Sequence, residues 1–287
     1  MVLADKWQDY EIISTGDGYK LERWKDVYLL RPDPQVIWPS SMDMGSYKKL
    51  NAKYERSETG GGRWTEKRPM PKEWIISYGE LKFNIKPMGF KHTGLFPEQA
   101  ANWEKMSTLI KNAGRPISVL NLFAYTGGAT VACLKAGASV CHVDAAKGMV
   151  ERAGENCRLS GVGEGKVRFI IDDCLKFVQR EIRRGRRYDA IIMDPPSFGR
   201  GPNGETWKIE NELFNLVKTC TQVLSDNPLF FLINSYTTGL QPQVIKNILQ
   251  LNLKDFGGEI EAYEVGLPTN EKIALPCGCS GLWKNGN

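Results

Sequence analysis

The sequence predicts an α/β protein with an open, mostly parallel sheet, helices on both faces and an antiparallel closing strand. A small β-rich domain precedes it. Three observations carry this. From about residue 98 helical and strand patterns alternate. The strand runs, such as SVLNLF at 118–123, are mostly apolar, as strands buried on both faces are. The first ~90 residues instead hold short β-type runs broken by Gly, Pro and Asp. The division expected is 1–90 for the small domain and 91–287 for the large one, and 287 residues suffice for both.

In the front part the runs are IIST before GDG at 16–18, VYLL before RPDP, and VIWP at 36–39. Residues 41–72 show almost no apolar periodicity, and GGG at 60–62 reads as a flexible or tightly turned loop. That stretch is basic: Lys48, Lys49, Lys53, Arg56, Arg63, Lys67, Arg68 and Lys72 stand against Glu55, Glu58 and Glu66. Tyr47, Tyr54 and Trp64 are interleaved. Such cations neutralise phosphates, and such aromatics stack on unpaired bases. The plainer alternative is a solvated loop packed on its neighbour by its aromatics.

In the second part EQAANWEKMSTLIKNA (98–113) carries Trp103, Met106, Leu109 and Ile110 at helical spacing. Strands are read at 118–123, 138–144, 166–171, 188–194 and 228–235, with two closing strands at 259–266 and near 272–284. Helices are read at 128–136, 147–159, 174–184, 208–225 and 241–251.

Composition is that of an ordinary globular chain, 41% hydrophobic and 25% charged, with net charge +5. No apolar run reaches the roughly 18 residues of a membrane span, and MVLADKWQDYEI is too polar for a signal peptide. A cytoplasmic protein with no membrane partner is therefore expected. Seven irregularly spaced cysteines suit a reducing compartment. With two histidines and one C-x-C pair, no metal site is expected.

In open α/β sheets a ligand sits at the carboxyl ends of the strands, near the switch point. The turn after 118–123 reads AYTGGAT. Gly127 and Gly128 let backbone approach a ligand closely, and the following helix offers unpaired N–H groups. Asp144 ends the next strand and can accept from both hydroxyls of a ribose. After 166–171, one of Asp172 and Asp173 caps a helix and the other reaches an adenine amino group, in either order. Thr126-Gly127-Gly128-Ala129-Thr130-Val131 lacks the G-x-G-x-x-G of a dinucleotide site. The set points to an adenosyl cofactor. Last, IIMDPPSFGRG sets Asp194-Pro195-Pro196-Ser197-Phe198 at a strand end. The prolines fix φ and remove two donors, so carbonyls and a carboxylate face a bound group. Phe198 can stack on a flat ring.

At KHTGLFPEQAANW (91–103), NLFAYTGGAT (121–130), VDAAKGMVERAGEN (143–156), IIDDCLKF (171–178) and MDPPSFGRG (193–201), the chain resembles Rossmann-like class I methyltransferases. The resemblance is to the bacterial large-subunit ribosomal RNA group, of the kind related to the cytosine-5 enzyme of 23S RNA. It spans about 90–285. A PUA module in front is not expected. The resemblance implies S-adenosyl-L-methionine as cofactor and ribosomal RNA as partner, with a homodimer as a further expectation. It implies that Phe96 and Gln99 cover the cofactor and that Phe123, Tyr125 and Gly127 line its methionine and sugar. It puts Asp144 on the ribose and Asp173, beside Asp172, on the adenine, with Thr126, Gly128, Ala145 and Cys174 completing the cofactor set. Asp194 stands between donor and acceptor, and Pro195, Pro196 and Phe198 face the target. Other readings are a methyltransferase for a protein or small molecule, and a non-catalytic RNA-binding protein keeping the cofactor fold.

One departure matters. Cytosine-5 transfer needs a thiolate to attack carbon 6. In the cytosine enzyme of the group that cysteine follows the fifth strand. Here the stretch reads Leu232-Ile233-Asn234-Ser235-Tyr236-Thr237. Cys277 and Cys279 are read as small packed residues of a closing strand. The arginines at 180, 183, 184, 186 and 187 are read as complementing a helix C-terminus on the edge opposite the cofactor. His92 is read as a supporting residue.

Overall fold

The computed structural model of the chain describes residues 1–57, 61–89, 91–200 and 206–286, the side chain of Arg200 excepted. Glu58, Gly60 and Gly201, on which the sequence reading drew, lie outside these. The chain forms two compact units: Val2–Ala101 with Val265–Cys277, and Asn102–Glu264 with Gly278–Asn287 and Met1. Among the described residues no helix is long and apolar enough to cross a membrane.

The first unit begins with the short β1 (Val2–Leu3). Its five-stranded sheet takes β2 (Tyr10–Gly16), β3 (Tyr19–Trp24), β4 (Val27–Pro32), β5 (Ala52–Arg56) and β6 (Gly62–Glu66) in that order. A separate hairpin pairs β7 (Trp74–Tyr78) with β8 (Leu81–Ile85). Asp17 (φ 51°) and Gly18 (φ 79°) turn β2 into β3, the two left-handed residues that a tight hairpin requires. Inside the sheet Glu22 is fully buried. Burial pushes its carboxyl up, but Arg31 and Lys20 outweigh that and hold it below its usual range. Arg31 reaches both of its oxygens, at 2.5 and 2.7 Å, and Tyr10 donates to one at 2.7 Å.

Two expectations are corrected here. Residues 41–72 are not one loop, because β5 and β6 pair antiparallel within them. Tyr54 is 2% exposed and packs edge-on against Trp64 at 5.3 Å, while Trp64 Nε1 donates to the Met88 carbonyl. Tyr54 therefore cannot stack on a base; the alternation of buried Ala52 and Tyr54 with outward Lys53 and Glu55 was the strand signal. Conversely VIWP is no strand. Ile37 is 89% exposed, and Val36 and Trp38 use their carbonyls to cap the Asp17-Gly18 turn.

The main sheet, most of it in the second unit, takes β9 (Ser118–Leu122), β10 (Ser139–Asp144), β11 (Val167–Ile171), β12 (Ala190–Met193), β15 (Phe230–Ser235), β16 (Glu259–Pro268) and β17 (Ala274–Lys284). A small ribbon, β13 (Phe198–Arg200) and β14 (Thr206–Lys208), lies between β12 and β15 in sequence. The sheet order is β1-β16-β17-β15-β12-β9-β10-β11. Strands β9–β12 and β15 pair parallel, and β17 runs antiparallel to β15. This is the mixed, Rossmann-like sheet expected.

The helices are α1 (Ala100–Asn112), α2 (Gly128–Lys135), α3 (Lys147–Leu159), α4 (Cys174–Arg183), α5 (Ile209–Thr221) and α6 (Pro242–Leu253). Alternate strand residues face opposite ways. Leu120, Leu122, Cys141, Val143, Ile191 and Phe231 meet Phe177 of α4, Leu216 of α5 and Ile245 of α6 in one core. The intervening Asn121 and His142 stand side by side in the β9–β10 register and meet Thr130 of α2 on the other face. After β9 the chain goes to β10 and β11 on one side and returns to β12 on the other. That reversal opens a crevice at the carboxyl ends of β9, β10 and β12.

Candidate active site

The crevice is bordered by the turn from β9 to α2. Phe123 (φ 54°), Tyr125 (φ 51°) and Gly127 (φ 82°) are all left-handed. Two of these carry side chains, which costs on the order of 1 kcal/mol each and needs outside support. The support is specific. The Phe123 N–H donates to Cys174 Sγ at 3.3 Å, the Ala124 N–H to the Val143 carbonyl at 3.1 Å, and the Tyr125 N–H to Asp144 Oδ2 at 2.8 Å. Asn156 of α3 donates to the Thr126 carbonyl at 2.9 Å. Gly127 lacks a Cβ for a reason other than a ligand: a Cβ there would lie 2.8 Å from that of Ala153 on α3. Gly127 caps α2 with no side-chain bond to the first turn, leaving positive helix-end potential toward the crevice, and Gly128 opens the helix.

Asp144 closes β10. Its second oxygen accepts the Ala146 N–H at 2.9 Å, so Asp144 bridges the turn and the start of α3 across Ala145. A carboxylate has about four acceptor sites, and these two bonds leave others for a ligand. After β11, Asp173 is the helix cap: it accepts the Lys176 N–H at 2.8 Å. Asp172 accepts the Asp173 N–H and is ion-paired with Arg180. Arg180 is thus joined to the strand end near the crevice, which corrects its placement on the opposite edge. Arg184 and Arg168 pair instead with the buried Glu181. Ile171 at the end of β11 is 52% exposed, an apolar surface beside Asp144's strand.

At the end of β12, half-buried Asp194 accepts from Asn234 Nδ2 at 3.0 Å, and Pro195 is buried. The Pro196 carbonyl accepts from Trp207 Nε1 at 2.6 Å. Trp207 lies on β14, with its ring 5.8 Å from that of Phe123. It ties the Asp-Pro-Pro turn to the glycine turn. Ser197 shares a hydrogen bond with Thr237 at 2.6 Å, and Phe198 is 51% exposed.

All seven cysteines are free thiols with acidity suppressed by burial. Cys133 and Cys157 are pushed up to about 12 and Cys279 to about 11, while Cys141, Cys174, Cys220 and Cys277 also move up. Cys277 and Cys279 lie in β17, and Cys279 donates to the Leu240 carbonyl at 3.0 Å. His92 is held down to about 4, by burial first and then Arg31. Its ring stands 5.2 Å from Phe96. Among the described residues no three His, Cys, Asp or Glu side chains are grouped to hold a metal ion.

A family model described as S-adenosylmethionine-dependent methyltransferase matches residues 35–225, more than half of the chain. The chain belongs to the S-adenosylmethionine-dependent methyltransferases. A crystal structure of the SAM-dependent methyltransferase from Agrobacterium tumefaciens superposes with a TM-score of 0.92 at 31% identity, covering 99% of this chain and 93% of that one. A protein of Methanocaldococcus jannaschii, provisionally named a ribosomal RNA large subunit methyltransferase, is 29% identical over 209 residues. The match covers 69% of this chain and 49% of that protein. Ribosomal RNA large subunit methyltransferase K/L of Shewanella frigidimarina is 26% identical over 235 residues, 79% of this chain and 31% of its own length. The chain therefore spans less than half the length of these two curated relatives.

S-adenosylmethionine is the cofactor of this methyltransferase family, and the crevice fits its adenosyl part. Asp144 retains acceptor sites, the α2 terminus lacks a side-chain cap, and Ile171 offers an exposed apolar surface. Phe123, Tyr125, Thr126, Gly127, Gly128, Asp144, Ala145, Asp172, Asp173, Cys174 and Asp194 all come from adjacent strand ends of one unit. Phe96 and Gln99 belong to the other unit, where Phe96 precedes the 3₁₀ turn Pro97–Gln99. Sequence reasoning missed Trp207 and Asn234. Trp207 stands just before the helix read at 208–225, outside every motif of the sequence. Asn234 was noticed only as the place of a missing cysteine, although a polar residue inside the run FFLINS marks a buried partner.

Proposed function

We propose that this protein methylates a nitrogen of a base in ribosomal RNA, with the Asp194-Pro195-Pro196-Ser197-Phe198 turn receiving the base. The observation carrying this reading is the pairing of a half-buried, hydrogen-bonded carboxylate with an exposed aromatic four residues on. Phe198 stacks on the flat ring. Asp194 accepts an N–H of the acceptor and so aims the nitrogen lone pair. Asp144 holds the ribose of the cofactor, and Asp172 or Asp173 meets its adenine. When bound, S-adenosylmethionine supplies a methyl group already activated by a positive sulfur. The protein's own work is alignment and exclusion of water.

Nitrogen is favoured over cytosine carbon 5 because the latter requires a thiolate, and every cysteine here is shifted toward the protonated thiol. The names of the Methanocaldococcus and Shewanella relatives support an RNA acceptor. So do the exposed cations Lys48, Lys49, Arg56, Arg63, Lys67, Arg68 and Lys72. Mass spectrometry of nucleosides from ribosomal RNA of cells with and without the gene tests the reading. One methylated base should disappear in the deletion strain; identical nucleoside profiles would refute an RNA acceptor.

A further inference from the structure

Asp194 stands at one end of an unbroken hydrogen-bond chain that runs across the closing half of the sheet. Asn234 Nδ2 lies 3.0 Å from Asp194 Oδ1. The Asn234 Oδ1 is 2.9 Å from Ser280 Oγ on the paired strand β17. That hydroxyl is 2.9 Å from Asn102 Nδ2 on α1, and the Asn102 Oδ1 is 2.8 Å from the Tyr263 hydroxyl on β16. Asn102, Asn234 and Ser280 are fully buried, and Tyr263 nearly so. At the far end Lys105 Nζ sits 4.7 Å over the Tyr263 ring and pairs with Glu261 at 2.9 Å.

The direction of the chain is dictated. An ionised carboxylate only accepts, so Asn234 must turn its amide hydrogens toward Asp194. Its carbonyl then faces Ser280, which must donate. The Ser280 oxygen in turn accepts from Asn102, whose carbonyl accepts from Tyr263. Every donor points toward Asp194. Hydrogen bonds aligned this way polarise one another in a low-dielectric interior, and removing Asn234 or Ser280 breaks two of them at once. Burial of four polar side chains, three on the sheet and one on α1, is costly unless each is paired. The chain ends on one carboxylate oxygen of Asp194 and so fixes its angle.

We infer that Asn234, Ser280, Asn102 and Tyr263 are positioning residues that fix the Asp194 carboxylate for methyl transfer. The inference rests on the role of Asp194 proposed above, so the test carries both.

Tritium transfer from labelled S-adenosylmethionine to large-subunit ribosomal RNA of gene-deleted cells is measured for Asp194→Ala, Asn234→Leu, Ser280→Ala, Ser280→Thr and Tyr263→Phe. Asn234→Leu and Ser280→Ala should lower kcat about tenfold or more, and Tyr263→Phe about threefold. KM for RNA and cofactor Kd should stay within about twofold, and Ser280→Thr, which keeps the hydroxyl, should recover most of the loss. If Asp194→Ala turns over normally, the proposed role of Asp194 fails. If it is inactive while the relay variants keep wild-type kcat, the relay inference alone fails.

A second measurement needs no acceptor. In protein labelled with ¹³C at aspartate carboxyls, the Asp194 resonance, identified by its loss in Asp194→Ala, should move in Tyr263→Phe. That variant removes a hydroxyl bonded to Asn102, not to Asp194. An Asp194 resonance unmoved by all three disruptive relay variants would overturn the inference, whatever the RNA assay gives.

Discussion

Nδ1 of His142 lies 2.9 Å from Oγ1 of Thr130, and both side chains are fully buried beneath the glycine turn. The Thr130 hydroxyl also accepts from Asn121 Nδ2 at 2.9 Å, and burial favours the neutral imidazole. Burial holds its pKa down to about 4, with the Tyr125 backbone opposing that shift. The usual value is 6.5, so the unfolded chain binds the proton more readily than the folded one between these pH values. Stability that is complete above pH 6.5 should therefore be lost as pH falls toward 4, by ~3 kcal/mol at most from this group. His92, lowered likewise, adds to the same slope. Urea unfolding between about pH 7.5 and about pH 4.5 measures it. His142→Gln should be less stable at neutral pH yet lose less on acidification. Equal pH slopes in the two proteins would contradict the neutral imidazole.

That network also shows what a sequence can display. Helix and strand periodicity gave the catalytic unit almost whole, with α3 at 147–159 to the residue, because strands buried on both faces are written as apolar runs. The glycine turn, Asp144 and the Asp-Pro-Pro turn stood at strand ends, where topology makes position informative. Partnership was not legible. Asn121, His142, Asn234 and Ser280 read as interruptions of apolar runs, and only three-dimensional pairing turns them into supports. The β5–β6 pair was obscured because its outward positions are densely charged, leaving Ala52, Tyr54 and Trp64 as the apolar signal.

Gly127→Ala should damage the cofactor site for two separable reasons. Residue 127 has φ 82°, which costs a side chain on the order of 1 kcal/mol. The new Cβ would also stand 2.8 Å from that of Ala153. Calorimetric titration with S-adenosylmethionine should show affinity down about tenfold or more. Adding Ala153→Gly removes the overlap but not the backbone strain, so recovery should be partial. A double variant binding as poorly as the single one would rule the overlap out as a cause.

Trp207→Phe keeps an aromatic ring near Phe123 but deletes the 2.6 Å bond to the Pro196 carbonyl. One such bond is worth ~1 kcal/mol, enough for about a fivefold fall in turnover if it acts through the geometry of the turn. Cofactor affinity should remain within about twofold, because Trp207 braces the acceptor side. Equal losses in affinity and turnover would show a general loosening of the crevice instead.

The cysteines give the sharpest chemical test of nitrogen against carbon as acceptor. With its pKa pushed up to about 11, Cys279 is thiolate in only a few molecules per ten thousand near neutral pH. Its sulfur moreover donates to the Leu240 carbonyl rather than facing a base. Cys277, shifted up by burial and next by Glu98, is no better a nucleophile. Cys277→Ala and Cys279→Ala should therefore transfer methyl groups at close to the wild-type rate. RNA carrying 5-fluorocytidine, which traps enzymes that attack carbon 6, should form no covalent adduct with the wild-type protein. An adduct that disappears in either cysteine variant, together with loss of transfer, would overturn the nitrogen assignment and restore cytosine carbon 5 as the acceptor.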